Sequence, residues 1–251
     1  MTRNKLILNR DKIQLMVMTS KSKHTVHDDY GIFLNTGSEI IFPQNQGQLL
    51  GATIANSLNW NLHVRDSEKS LVRTLTSQLN ALRKVCQFTS FRNRKMLANG
   101  IIMSYLRYLV PLYGGCPDYL LNSLQILQNK AARLVTKSSW FTPTSTMLQQ
   151  VGWLNIRQLI AYHSLIMIYQ IKHEKKPSYI FDRISATFNV ATRFAETNAI
   201  KDSRTMKTNI GKQSFLPRTI SAWNRLPVDL RTTSSLEKFK SCLKHWVQQQ
   251  Y

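Results

Sequence analysis

Leu71, Leu75, Leu79, Leu82 and Cys86 recur at spacings of three and four, and this pattern constrains the fold more than any other feature of the chain. Only an α-helix brings such positions onto one face, so the spacing predicts a helix over residues 63–86 whose apolar stripe must be covered by other elements. A second helix is predicted over residues 94–113, with Ile101, Ile102, Tyr105, Leu109 and Leu112 inward. Asp118 can cap a third that buries Leu120, Leu124, Leu127, Ala131 and Leu134. A fourth covers residues 156–172. Gly114-Gly115-Cys116-Pro117 and residues 138–143 are the breaks between them. Two further helices are expected at 220–225 and 235–249, the latter with Leu236, Phe239, Leu243 and Trp246 on one face.

Residues 1–62 lack this period. Short apolar runs at 13–18, 31–34, 39–42 and 49–54 read as strands, the middle pair flanking the turn-prone Asn35-Thr36-Gly37-Ser38. So small a sheet is marginal alone and needs cover on its apolar face. Residues 182–213 are polar and aperiodic, as in a long surface loop or connector. The expected fold class is therefore α+β, mainly α: a small antiparallel sheet at the N-terminus followed by a basic helical bundle. The expected organisation is a β-rich segment (1–62), a helical bundle (63–181), a polar connector (182–213) and a C-terminal helical segment (214–251).

The formal charge of +21 points to polyanionic partners, and 43% hydrophobic residues exclude a disordered basic tail. The charge is unevenly spread. Residues 69 to 173 hold 13 Lys or Arg against one acid, Asp118. Such a surface repels itself unless phosphates neutralise it, which marks Arg73, Arg83, Lys84, Arg92, Arg94, Lys95, Lys130, Arg133 and Lys137 as candidate nucleic-acid contacts. Arg92-Asn93-Arg94-Lys95 opens a helix, where cations oppose the helix dipole and a bridging phosphate would relieve them. Among the interleaved aromatic residues, Phe88, Phe91 and Trp140 fall in loop-like stretches and are the stacking candidates, while Tyr105 and Trp153 belong to apolar faces.

No self-sufficient active site is visible. Cys86, Cys116 and Cys242 are too scattered for a disulfide framework or a thiolate zinc site. Asp28-Asp29 lies in a Lys- and His-rich loop without the aromatic-spacer context of a polymerase hairpin, and His24, His27 and Asp28 are too few for a metal site, so no metal ligand is assigned. The sequence has no Gly-rich phosphate loop and no apolar run of membrane-spanning length, and its first residues do not resemble a signal peptide. An intracellular protein, nuclear or cytoplasmic, without a membrane partner is expected.

Several stretches carry a family resemblance. Asn4-Lys5-Leu6-Ile7-Leu8-Asn9-Arg10-Asp11-Lys12, Gln14-Leu15-Met16-Val17-Met18, Leu49-Leu50-Gly51-Ala52-Thr53-Ile54 and Asn59-Trp60-Asn61-Leu62-His63 resemble the segment after the catalytic hairpin in reverse transcriptases of non-LTR (Jockey-like) retrotransposons. Leu127-Gln128-Asn129-Lys130-Ala131-Ala132-Arg133-Leu134, Ser214-Phe215, Trp223-Asn224-Arg225-Leu226-Pro227 and Phe239-Lys240 are similar to the helical C-terminal region of the same polyproteins. The resemblance implies that residues 1–62 are the end of a polymerase palm and the later helices its thumb and C-terminal extension. It implies an auxiliary role for Lys12 beside the pyrophosphate leaving group, although Ile13 stands where the family usually has Thr or Ser, and it places Leu50 and Gly51 in a turn that grips the primer end. The fingers, the catalytic Asp residues and the Mg²⁺ they hold belong to upstream sequence, so the expectation is an RNA-directed DNA polymerase fragment, inactive alone, that binds RNA or an RNA/DNA duplex. The alternative is a stand-alone basic helical nucleic-acid-binding protein without a polymerase role.

Overall fold

The computed structural model describes residues 9, 12–18, 31–37, 39–185, 198–201 and 206–251. Contacts divide the chain into two units, Met1–Ser70 and Leu71–Tyr251.

In the first unit, β1 (Leu34–Asn35) and β2 (Ile40–Ile41) pair antiparallel, with Leu34 opposite Ile41. The Asn35 side chain accepts the Gly37 N–H at 2.8 Å, and the Thr36 N–H bonds the Glu39 carbonyl at 3.0 Å, which closes the turn its residues favour. Residues 49–54, read as one strand, are instead the tip of a second hairpin, β3 (Gln46–Leu49) and β4 (Ala52–Ala55). Leu50 and Gly51 form its two-residue turn, both at positive φ (48° and 79°), as the twist of a tight hairpin requires. Residues 13–18 contribute only an isolated parallel bridge from Leu15 to Pro43. A Cβ on Gly47 at this crossing would lie 2.7 Å from Gln14 Oε1 and 2.9 Å from Met16 Cε, so the ends of those two flexible side chains would have to move. Residues Leu62–Asp66 form a π-helical turn that buries His63 and Val64.

In the second unit the leucine stripe lies on α1 (Leu71–Cys86), and all five of its members are buried. The helix starts at Leu71 rather than at 63, because Ser67 is extended and the polar residues 66–70 offer nothing to continue the stripe. Then come α2 (Phe91–Ala98), a π-helical stretch (Asn99–Met103), α3 (Ser104–Arg107), α4 (Val110–Tyr113) and α5 (Asp118–Thr136). The single helix read over 94–113 is thus broken. A π-turn inserts one residue and rotates the later face by about 100°. Ile102, Met103, Leu106, Val110 and Tyr113 point inward, while Tyr105 and Leu112 are 41% and 45% exposed. Tyr108 then turns extended and Leu109 left-handed, and Pro111, which has no N–H to bond the Arg107 carbonyl, falls in the first turn of α4. Asp118 is the first residue of α5 and Pro117 its cap, so the carboxylate favours the helix start through the dipole rather than through a side-chain cap.

Among the helices not read from the sequence are α6 (Thr144–Val151), which buries Met147, Leu148 and Val151, and α8 (Ser178–Ser185), which follows α7 (Ile156–Glu174). Asn155 opens α7 with a reciprocal capping box, its Oδ1 accepting the Gln158 N–H and Gln158 Oε1 accepting the Asn155 N–H at 2.8 and 2.9 Å. The remaining helices among the described residues are α9 (Asn209–Gln213), α10 (Phe215–Asn224), α11 (Val228–Arg231) and α12 (Leu236–Gln250). A core of Leu165, Ile168, Tyr169, Trp223, Phe239, Leu243 and Val247 joins α7, α10 and α12, with the rings of Tyr169 and Phe239 stacked at 4.3 Å. In the stretch read as a polar connector, Ala199 and Ile200 are buried, whereas α9 at its end has no buried residue. The whole is α+β and mainly α, with two small antiparallel sheets near the N-terminus followed by helices. Among the described residues no helix is long and apolar enough to cross a membrane.

Candidate nucleic-acid interface

The C-terminal end of α1, the start of α2 and the C-terminal end of α5 come together through Arg94. Its Nε donates to the Val135 carbonyl at 2.7 Å and its Nη1 to the Thr89 carbonyl at 2.5 Å, and the side chain is buried. Arg94, proposed from sequence as a phosphate contact, is therefore a tie between helices. Cys86 lies beside it: burial pushes the thiol pKa up, and the charges of Arg94 and Lys137 pull against that shift.

Around this tie the other cations separate by role. Arg73, Arg83, Lys84, Arg92, Lys130 and Lys137 are exposed. Arg73 and Lys84 fall on one stripe of α1, and Lys130, Arg133 and Lys137 follow one face of α5 at spacings of three and four. Arg83 and Lys84 end α1 and Arg133 ends α5, where cations also suit the helix dipole. Arg133 is half-buried and holds the following loop, bonding the carbonyls of Ser139 and Trp140 at 3.4 Å with its guanidinium 5.0 Å from the Trp140 ring centroid. Lys95 is half-buried, its Nζ 3.9 Å from where a Cβ on Gly152 would stand, at the C-terminus of α6. Elsewhere in the low-acid stretch, Arg157 pairs with Asp118 at 2.9 Å, and Lys172 is drawn inward over Trp223.

Three aromatic side chains stand out from the same end: Phe88 (88% exposed), Trp140 (78%) and Phe141 (91%). Phe91, a stacking candidate from sequence, is only 37% exposed, while Phe141 surpasses it. Trp153 is buried, with its Nε1 on Asn99 Oδ1 at 3.0 Å. The surface so formed can neutralise phosphates with its cations and stack unpaired bases on its rings.

The stretches that carry the family resemblance have structural roles as well. Gln128 is fully buried and donates to the Leu154 carbonyl at 2.8 Å, and Ala131 and Ala132 are small enough to sit in the core. His63 accepts the Thr53 N–H on Nδ1 at 3.4 Å. Leu50 and Gly51 are at a hairpin tip, with Leu50 79% exposed, and Lys12 is exposed. His24, His27, Asp28, Asp29 and the Asn4–Leu8 part of the first stretch lie outside the described residues. Among the described residues no cluster of three or more His, Cys, Asp or Glu could hold a metal ion. No protein-family model, no curated protein and no solved structure matches the chain.

Proposed function

We propose that this chain is the palm-end, thumb and C-terminal extension of a non-LTR retrotransposon reverse transcriptase, and that its second unit binds RNA or an RNA/DNA template–primer duplex where α1, α2 and α5 meet. The observation that carries the binding is the gathering of Arg83, Lys84, Arg92, Lys130 and Lys137 with exposed Phe88, Trp140 and Phe141, within a stretch from residue 69 to 173 whose one acid is Asp118. The family assignment rests on the ordered series of motifs. Two features of the first unit fit it: the exposed hairpin tip at Leu50 and Gly51, and the apolar Phe33, Ile40, Phe42 and Leu49 that a larger palm sheet would cover.

The test is the salt dependence of affinity for an RNA/DNA hybrid. Log K falls with log salt with a slope of roughly 0.7–0.9 per neutralised phosphate, so several contacts give a steep line, and a flat one overturns the interface. Primer extension with Mg²⁺ or Mn²⁺ by these 251 residues is expected to yield no product. Genomic sequence upstream that encodes an aromatic-x-Asp-Asp hairpin in frame supports the polymerase reading, whereas an unrelated 5′ exon favours a stand-alone nucleic-acid-binding protein.

A further inference from the structure

A second basic feature of the Leu71–Tyr251 unit owes nothing to the face just described. A cavity of about 490 Å³, within the range of small-molecule sites, is lined by Arg157, Lys212, Arg218 and Arg225 and by no Asp or Glu side chain. It also borders Leu121 near the start of α5, and twelve residues of helix, about 18 Å, separate that end from Arg133. Arg157 is paired with the exposed Asp118, and Tyr251, the C-terminal residue, also borders the cavity and acts electrostatically on Arg218.

The cavity contains unmet polar demand. Ser164 on α7 and Thr219 on α10 are 2% and 1% exposed, and their hydroxyl oxygens have no hydrogen-bond partner. Buried hydroxyls are normally bonded, so two on adjoining helices at one cavity call for a partner. Arg218 is in the same position. One amino group is fixed on the Pro111 carbonyl at 2.7 Å, its Nε is buried and unbonded, and burial lowers its pKa. The wall is held close by Gly114, where a Cβ would stand 2.5 Å from Ile160 Cγ2 and 3.0 Å from Arg218 Nη1.

We propose that this cavity binds a phosphate-bearing small molecule of mononucleotide size, with Arg218 and Arg225 on the phosphate, Lys212 as a further cation, and the Ser164 and Thr219 hydroxyls as hydrogen-bond partners. A guanidinium with free N–H groups suits phosphate oxygens, and the apolar share of the lining, Ile160 and Ala161 included, suits a base or sugar face.

Calorimetric titration of the full chain with AMP, adenosine and inorganic pyrophosphate at one ionic strength tests it. AMP is expected to bind saturably at one site, with pyrophosphate competing and adenosine at least tenfold weaker. Lys212 and Arg225 are exposed, so the Lys212→Gln/Arg225→Gln protein should melt like the parent and lose at least tenfold in AMP affinity. Arg92→Ala/Lys137→Ala should keep that affinity within twofold while weakening RNA/DNA binding. The proposal is overturned by the absence of saturable binding, by equal affinity for adenosine, by equal losses in the two double variants, or by displacement of AMP by a 5′-hydroxyl oligonucleotide.

Discussion

Asn224 holds the backbone of Ile200 from both sides: its Oδ1 accepts the Ile200 N–H at 2.9 Å and its Nδ2 donates to the Ile200 carbonyl at 2.7 Å. Trp223 beside it is fully buried and donates Nε1 to the Asn198 carbonyl at 3.0 Å. The Asn198 side chain in turn accepts from Lys172 Nζ at 2.5 Å and donates to the Arg231 carbonyl at 3.2 Å. The Trp-Asn pair that resembles a family signature is a clamp, and it draws residues 198–200 into the core.

Replacement of Asn224 by Asp keeps the acceptor, removes the donor and sets a carboxylate against the Ile200 carbonyl. A loss of about 1–3 kcal/mol is expected, with faster hydrogen exchange at the Ile200 amide. Trp223→Ala should cost about 3–5 kcal/mol through the cavity it leaves. In both variants nucleic-acid affinity should fall only with the folded fraction. A Trp223→Ala protein that melts like the parent but binds far more weakly would make Trp223 a contact residue.

Arg92 and Arg94 are two residues apart and should behave in opposite ways. Arg94→Ala strands the Val135 and Thr89 carbonyls at a helix junction, and a loss of about 2–4 kcal/mol is expected from two charge-assisted bonds. Arg92→Ala, on an exposed side chain, should change stability by less than about 0.5 kcal/mol and lower the salt slope of binding. Urea denaturation and salt titrations of both variants separate the two roles.

Periodicity shows where its physics is strong. The stripe from Leu71 to Cys86 was legible because one unbroken helix buries all five residues. Tyr105 was misplaced because an inserted π-turn changes the phase without marking the sequence. Helix α6 was hidden by its Thr-Ser-Thr start, although Pro143 before it and left-handed Gly152 after it are a start and a stop that could have revealed it. The pull of residues 198–200 inward depends on Asn224, 24 residues away, and no local pattern encodes it. Composition marked the low-acid stretch as basic, but only the fold could show that Arg94 bonds backbone carbonyls and that Phe141 is more exposed than Phe91.

His63 gives the first unit a pH dependence of definite sign. Burial lowers its pKa below the ordinary 6.5, and its Nδ1 must stay unprotonated to accept the Thr53 N–H. The unfolded chain takes up the proton near 6.5 and the folded chain only at lower pH. The stabilisation is therefore complete above about 6.5 and is lost as pH falls through the folded value. In a ring titration by NMR the His63 midpoint should lie below 6.5, with the Thr53 amide shifting along the same curve. A midpoint at or above 6.5 would remove His63 from the hydrogen bond.

Trp140 tests whether the exposed aromatic residues at the α1–α2–α5 end act on bases or only decorate a loop. Its ring is 78% exposed, and its one described cation–π contact is with Arg133, which is separately held by the Ser139 and Trp140 carbonyls. Removal of the ring therefore leaves the loop's backbone bonds in place, and stability should move by less than about 1 kcal/mol, the worth of a surface cation–π pair. Stacking of an unpaired base on such a ring contributes about 1–3 kcal/mol. Trp140→Ala should thus weaken binding to single-stranded RNA by roughly five- to a hundredfold with the salt slope unchanged, because stacking releases no counterions. Binding to a blunt duplex, whose bases are already stacked, should change much less. Equal losses on single strand and duplex, or a reduced salt slope, would show that Trp140 serves only to position Arg133.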